Sequence, residues 1–261
     1  MSANPTHAAG GSLSESLPAA TTAPTLLYRV CRGLAWWFMR IFYRAQRFNS
    51  HYVPATGAAL VAANHQSYLD PPLVGMVERK MNFVAKSGLF RFKPFGWLIE
   101  NLNSVPLRED TSDVAAIKEV VRRLEAGNAV VIFPEGSRTD TGAMEPFKRG
   151  VALLVKKARC PVVPAAVEGC FDAWPRGSAP RLFGKRIAVK YGPPIPHDEL
   201  MKDGADAALE RLAREIDVLR LELRAYLRSQ TDGRYPPPGP GDHPRVPQVA
   251  GDQRGEPSPR K

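Results

Sequence analysis

The sequence predicts an α/β fold: a single domain with a mixed, largely parallel sheet flanked by helices, preceded by an N-terminal amphipathic helix suited to a membrane surface. Three observations predict it. Short apolar runs alternate with helical patterns from residue 59 to residue 228, the signature of strands joined by helical crossovers. Several of these runs are apolar throughout, as strands covered on both faces are. The chain has 261 residues, 44% of them apolar, enough for one substantial core but not for a second full domain.

The elements follow in order. Residues 1–23 are rich in Ala, Ser, Thr and Gly and read as a disordered tail. They lack a basic stretch followed by an apolar run, so no cleavable signal peptide is expected. Residues 24–47 read as a membrane-associated helix. Leu26, Leu27, Val30, Leu34, Trp37, Phe38, Ile41 and Phe42 recur at helical spacing on one face. Arg29, Arg32, Arg40 and Arg47 gather opposite, with Trp36 and Tyr43 toward them. A basic polar face with several aromatics suits the plane of an anionic membrane interface. The alternative is a helix packed on the protein's own core with a solvated basic face.

Residues 48–229 carry the alternating pattern. Strands are expected at Ala59–Ala63, Asn82–Ala85, Val105–Leu107, Ala129–Phe133, Pro161–Val167 and Arg186–Tyr191. Helices are expected from Pro71 through Val77, over Asp113–Ala126 with Gly127 as the stop, over Arg149–Ala158, and over Ala207–Arg228. Residues 230–261 are crowded with Pro, Gly and charge and read as an unfolded tail. No internal repeats are visible.

A formal net charge of +10 favours an anionic partner without choosing among nucleic acid, an acidic membrane, a phosphorylated substrate or an acidic carrier protein. Cys31, Cys160 and Cys170 form no CxxC pair, which leaves no zinc or redox signature and fits a reducing compartment. A spanning helix needs about 20 mostly apolar residues. Every long apolar stretch here is broken by Arg, Lys or Pro, so a peripheral chain is expected.

Three polar segments follow predicted strands, where open α/β sheets place their sites. The first is Asn64-His65-Gln66-Ser67-Tyr68-Leu69-Asp70. A carboxylate that accepts the Nδ1 proton of an imidazole fixes its tautomer and frees Nε2 to take a proton from a hydroxyl. Of the five histidines, His7 and His243 fall in expected disorder, His51 has no nearby acid, and His197-Asp198 sits in a Pro-rich loop. That leaves His65 with Asp70 as the candidate pair. The bland reading is a turn whose polar residues cap the next helix.

The second segment is Phe133-Pro134-Glu135-Gly136-Ser137-Arg138-Thr139. Gly136 permits close backbone approach, Arg138 offers a planar fork of donors to a phosphate, and Ser137 adds a hydroxyl. Glu135 is a candidate to orient Arg138 or bind a substrate hydroxyl. The bland reading is a turn with a surface ion pair. The third group is Arg108, with Lys148 and Arg149 at a helix start, each a source of positive charge. There is no GxSxG elbow, Walker A loop, GxGxxG or HExxH. Without an enzyme-borne serine, His65 is expected to activate a hydroxyl of the substrate itself.

His65-Gln66-Ser67-Tyr68-Leu69-Asp70 resembles the HxxxxD motif of glycerolipid acyltransferases, and Phe133-Pro134-Glu135-Gly136-Ser137-Arg138 resembles their FPEGxR motif. Order and spacing fit, and the likeness is to the bacterial 1-acylglycerol-3-phosphate group. Val105-Pro106-Leu107-Arg108, Phe147-Lys148-Arg149-Gly150 and Val162-Val163-Pro164-Ala165 resemble the family's further blocks. The resemblance covers residues 48–195.

The resemblance implies transfer of a fatty acyl group from acyl-CoA or acyl carrier protein to the sn-2 hydroxyl of 1-acyl-sn-glycerol 3-phosphate, giving phosphatidic acid. His65 would be the base and Asp70 its holder, with Arg108, Glu135, Gly136, Ser137, Arg138 and Lys148 around the glycerol phosphate. No metal or prosthetic cofactor is implied. The implied partners are the lysophospholipid, the acyl donor and an anionic membrane surface, with the protein peripheral on the cytoplasmic face. Nucleic acid is not expected, since the basic runs of the core lack interleaved aromatics. The competing readings are another acceptor, such as glycerol 3-phosphate or an aminolipid, and a basic membrane- or nucleic-acid-binding module with an inactive His–Asp pair.

Overall fold

A computed structural model of the chain describes residues 25–86, 104–107 and 113–245. The helices are α1 (Leu26–Tyr43), α2 (Asp70–Val74), α3 (Asp113–Glu125), α4 (Gly150–Ala158), α5 (Cys170–Ala173), α6 (His197–Leu200) and α7 (Ala205–Ser229). The strands are β1 (Gln46–Phe48), β2 (Ala59–Ala63), β3 (Met81–Lys86), β4 (Ser104–Leu107), β5 (Ala129–Ile132), β6 (Val162–Glu168) and β7 (Ala188–Tyr191). Among the described residues they form one seven-stranded sheet in the order β1-β7-β6-β2-β5-β3-β4. All neighbours are parallel except β6 and β7. This is the mixed, largely parallel sheet that the alternating pattern predicts.

The period of two along each strand divides the core. Leu60 and Ala62 of β2 join one cluster with α3, α4 and α7, through Ile117, Leu124, Leu154, Leu212 and Leu223. Ala59, Val61 and Ala63 face the other side, against Met39 and Tyr43 of α1 and Leu73 of α2. Every residue of β2, β5 and β6 is buried, which explains the apolar runs of β2, β5 and residues 162–167 of β6. Chain order reverses around β2, with β5 on one side and β6 on the other. The crevice at the carboxyl ends of β2 and β5 is therefore a topological switch point, where α/β sheets hold ligands.

α1 starts at an N-cap, the Thr25 hydroxyl accepting from Tyr28 N–H, and ends at Arg44 in the left-handed region. It docks through Tyr28, Met39 and Tyr43. Leu26, Val30, Leu34, Trp37, Phe38 and Ile41 all face outward. Helical spacing alone put Tyr43 among the arginines, yet it is fully buried, because a wheel shows which residues share a face and not which face the sheet covers. No helix among the described residues is long and apolar enough to cross a membrane.

Two expected boundaries change. A division at residue 47/48 cuts through β1, which pairs with β7 inside the same sheet, so α1 is an appendage of this domain and not a separate unit. Residues 230–245, expected as unfolded tail, are packed. Tyr235 is buried, and its hydroxyl donates to Gly169 O at 2.6 Å. Arg224 donates to Pro237 O at 2.7 Å, and Arg220 donates to the carbonyls of Gly241 and His243. A Pro-rich segment is poor in N–H donors and has no core of its own. Here arginines projecting from α7 supply the missing donors. Residues 1–24 and 246–261 lie outside the described residues.

Candidate active site

β2 ends at Ala63, and Asn64 continues its pairing with β6 by side chain. Its Nδ2 donates to Val167 O at 3.0 Å, and its Oδ1 accepts from Val167 N–H at 2.8 Å. The chain then folds over Asp70 at the start of α2. One oxygen, Oδ2, accepts from Ser67 N–H at 2.6 Å, from Gln66 N–H, and lies 2.8 Å from His65 Nδ1. Asp70 is fully buried, whereas the His65 side chain keeps 18% of its surface exposed. The imidazole also stacks on Phe133, with centroids 4.1 Å apart and planes at 19°. A carboxylate can only accept, so Nδ1 carries the ring proton and the Nε2 lone pair is left for another donor.

The Phe133–Thr139 loop follows β5, the neighbour of β2. Gly136 sits at φ 71°, a left-handed turn that glycine suits, and a Cβ there would fall 3.0 Å from Lys148 Cγ and crowd the lysine stem over it. Thr139 N–H donates to His65 O at 2.9 Å, which clips the two loops together. Arg138 sits over the Tyr68 ring, its guanidinium carbon 3.6 Å from the ring centroid. Its Nη1 is buried with no hydrogen-bond partner among the described residues. A buried guanidinium nitrogen with a spare donor is suited to an incoming anion. Ser137 and Lys148 are exposed beside it.

Glu135 does not point into this opening. It is 2% exposed, and its two oxygens accept from His65 N–H at 2.6 Å and Glu145 N–H at 2.8 Å. Burial pushes its pKa up to about 8, with the charges of Asp70 and Glu145 adding to the rise and the two backbone hydrogen bonds opposing it. Its place is to hold the His65 loop, a correction to the substrate contact expected from sequence. The structure thus brings together His65, Asp70, Gly136, Ser137, Arg138 and Lys148. Arg108 lies outside the described residues.

The family described as Acyltransferase matches residues 45–168, which span both loops. The chain is 31% identical over 157 residues to the 1-acyl-sn-glycerol-3-phosphate acyltransferase BAT2 of Brassica napus chloroplasts, covering 59% of this chain and 46% of that protein. It is 26% identical over 204 residues to the 1-acyl-sn-glycerol-3-phosphate acyltransferase of Bacillus subtilis, covering 76% and 98%. The crystal structure of the 1-acyl-sn-glycerophosphate acyltransferase PlsC of Thermotoga maritima superposes with a TM-score of 0.57 at 25% identity, over 71% of this chain and 76% of that one. The family match covers just under half of the chain, and over it the chain is similar to acyltransferases. It spans about half the length of the Brassica napus relative and nearly all of the Bacillus subtilis one.

Behind these two loops lies a polar network that sequence reasoning missed. Gln66, next to the candidate base, donates from Nε2 to Glu168 at 3.0 Å and accepts Phe171 N–H at 3.2 Å. Glu168 is 1% exposed and is met by Arg224 at 2.6 Å and Arg220 at 3.9 Å. Burial raises its carboxyl pKa while the two arginines pull it back. Cys170 is buried against Asp70, and burial together with that carboxylate pushes its thiol well up, so it is a neutral neighbour and not a nucleophile. Trp174 closes the outer side, its ring 5.3 Å from Tyr68 and its carbonyl accepting the Ser67 hydroxyl at 2.9 Å. No spacing in the sequence marks these partners, which lie up to 107 residues apart. Tyr68 was inside the quoted motif, but its stacking on Arg138 has no sequence signal.

Proposed function

We propose that this acyltransferase moves a fatty acyl group from acyl-CoA or acyl carrier protein to the sn-2 hydroxyl of 1-acyl-sn-glycerol 3-phosphate, giving phosphatidic acid. The observation that carries the proposal is one juxtaposition. The Nδ1 of His65 is held by the buried Asp70 carboxylate, and Arg138, with a free buried nitrogen, stacks on a tyrosine of the same loop. The names of the relatives support the same acceptor.

The chemistry follows from these positions. The acceptor hydroxyl gives its proton to Nε2 of His65 as its oxygen attacks the thioester carbonyl. Asp70 stabilises the imidazolium that forms. Collapse of the tetrahedral intermediate breaks the carbon–sulfur bond, and the imidazolium proton goes to the departing thiolate. Arg138, with Lys148 and Ser137 at the rim, receives the acceptor phosphate, which sets the hydroxyl against His65. Glu135 contributes by fixing the backbone of residue 65.

The same reading places the protein peripherally on the cytoplasmic face of an anionic membrane. It is supported by the outward apolar face of α1, with Arg29 and Arg40 exposed on the same helix, and by three free cysteines. The test is release of free thiol from palmitoyl-CoA with and without lysophosphatidic acid. Release that depends on lysophosphatidic acid, and on no glycerol 3-phosphate or aminolipid in its place, supports the assignment. Release at the same rate without acceptor, or none with any acceptor, defeats it.

A further inference from the structure

The segment between α5 and β7 carries an exposed apolar tip that the proposed chemistry leaves unused. Leu182 and Phe183 are 43% and 64% exposed. Phe183 has φ 64°, a left-handed conformation unfavourable for a bulky L-residue, and Gly184 follows at φ 69°. The backbone is therefore bent tightly at its outermost point, with the ring displayed there. The ring is also placed: its centroid lies 5.0 Å from that of Phe42 of α1, which in turn lies 4.6 Å from Phe38. The tip continues the outward apolar stripe of α1.

The base of the segment is tied down. Arg181 N–H donates to Ala173 O at 2.8 Å, Trp174 Nε1–H donates to Ser178 O at 2.8 Å, and Lys185 Nζ lies 4.9 Å from the Tyr235 ring centroid. Since Trp174 also meets Tyr68, the segment runs from the Arg138 platform to the tip. The charges carried by the two segments themselves have one sign, and the acids that reach them, Glu78 at Arg47 and Asp140 at Arg176, come from elsewhere in the chain. Residues 26–49 and 175–187 contain no Asp or Glu, and Arg40, Arg44 and Arg181 are exposed among them.

We propose that Leu182 and Phe183 form a second membrane-inserting tip, which together with α1 seats the protein on an anionic lipid bilayer. This rests on the membrane-surface reading above. Charge decides the occupant. Two copies meeting through this face would set their cationic rims against each other, because a two-fold interface pairs like with like. An anionic bilayer complements the rims and takes up the apolar side chains. With two points of insertion the protein is fixed in orientation, and the segment becomes a strut between the bilayer and the headgroup platform.

The experiment is flotation of the full chain with phosphatidylcholine vesicles containing or lacking about one third phosphatidylglycerol. Two loop variants, Leu182→Ser/Phe183→Ser and Phe183→Gly, are compared with an α1 variant, Leu34→Ser/Trp37→Ser. Glycine suits the left-handed backbone at 183, so Phe183→Gly keeps the fold while removing the ring. Withdrawing one apolar side chain from a lipid interface lowers partition about tenfold. The expected result is about tenfold weaker binding to the anionic vesicles for Phe183→Gly and a larger loss for the double variant. Thiol release with a short-chain, monomeric acceptor stays unchanged. If the loop variants float like wild type while the α1 variant does not, the second tip is refuted and the membrane reading stands. If neither set loses binding, both are refuted. If wild type ignores vesicles and doubles its mass in a manner lost in Phe183→Gly, the face binds a second copy and the proposal is overturned.

Discussion

Replacing Arg224 by Met tests the network behind the candidate base. The side chain is 6% exposed and makes three charged hydrogen bonds: Nη1 to Glu168 at 2.6 Å, Nε to Asp242 at 2.6 Å and Nη2 to Pro237 O at 2.7 Å. Methionine keeps much of the apolar stem and removes the guanidinium. Breaking one side of a buried ion pair costs about 3–5 kcal/mol. Arg220 remains 3.9 Å from Glu168, and Gln66 still donates at 3.0 Å, which offsets part of that loss. The lost bonds to Asp242, itself one-quarter exposed, and to Pro237 O add to it. The expected loss is about 3 kcal/mol, a fall in Tm of roughly 6–12 °C for a chain of this size. The cost has a pH dependence. Burial already raises the Glu168 carboxyl, and removing an arginine raises it further. A carboxyl raised in the folded state loses stability as pH climbs from its unfolded toward its folded pKa, so the penalty is smaller at pH 5 than at pH 8. Adding Glu168→Gln removes the unpaired charge and is expected to restore about 1–2 kcal/mol. The assays are urea unfolding of the four members of the cycle and limited proteolysis of residues 230–245, which should become cleavable. A loss below about 1 kcal/mol, or a double variant no better than the sum of the two singles, refutes the reasoning.

Asp70→Asn can keep an oxygen toward His65 but removes the charge that stabilises the imidazolium. It should lower kcat by about 10²–10⁴-fold with the unfolding midpoint little changed, and an equal collapse of the fold would show a structural role instead. Tyr68→Ala frees the Arg138 guanidinium and should raise KM for the phosphorylated acceptor by about tenfold with kcat nearly unchanged, while Tyr68→Phe behaves as wild type. Equal effects of both substitutions would contradict stacking as the cause. Glu135 has an ordinary unfolded value of 4.5 and is pushed up to about 8 when folded, so it contributes a loss of stability as pH rises between the two. Glu135→Gln is less stable than wild type at pH 5, and the gap should narrow by a few kcal/mol at most toward pH 8. A gap that holds constant across urea titrations at these pH values argues against the burial effect.

What was legible in the sequence was what local pattern encodes. The runs at 59–63, 129–132 and 162–167 are apolar because both faces are covered, and that is visible one segment at a time. β1 was missed because Gln46-Arg47-Phe48 is a three-residue edge strand with mixed burial. Strand order was not legible, since pairing β5 between β2 and β3 is set by packing across the whole sheet. The His65–Asp70 pair was found because its members are five residues apart and joined by a single turn. Glu135 was misassigned because a motif gives residue type and position but not the direction of a side chain. Residues 230–245 were misread for a related reason. Composition reports that a segment cannot form its own core, but not that Arg220 and Arg224 will hold its carbonyls.

The central claim is tested most directly by His65→Ala in transfer of a labelled acyl group from acyl-CoA to lysophosphatidic acid. The ring lies 2.8 Å from Asp70 and is partly open to solvent, so its loss should leave the fold intact and lower transfer by about 10²–10⁴-fold or more. A folded His65→Ala protein that transfers the label at the wild-type rate would contradict the account.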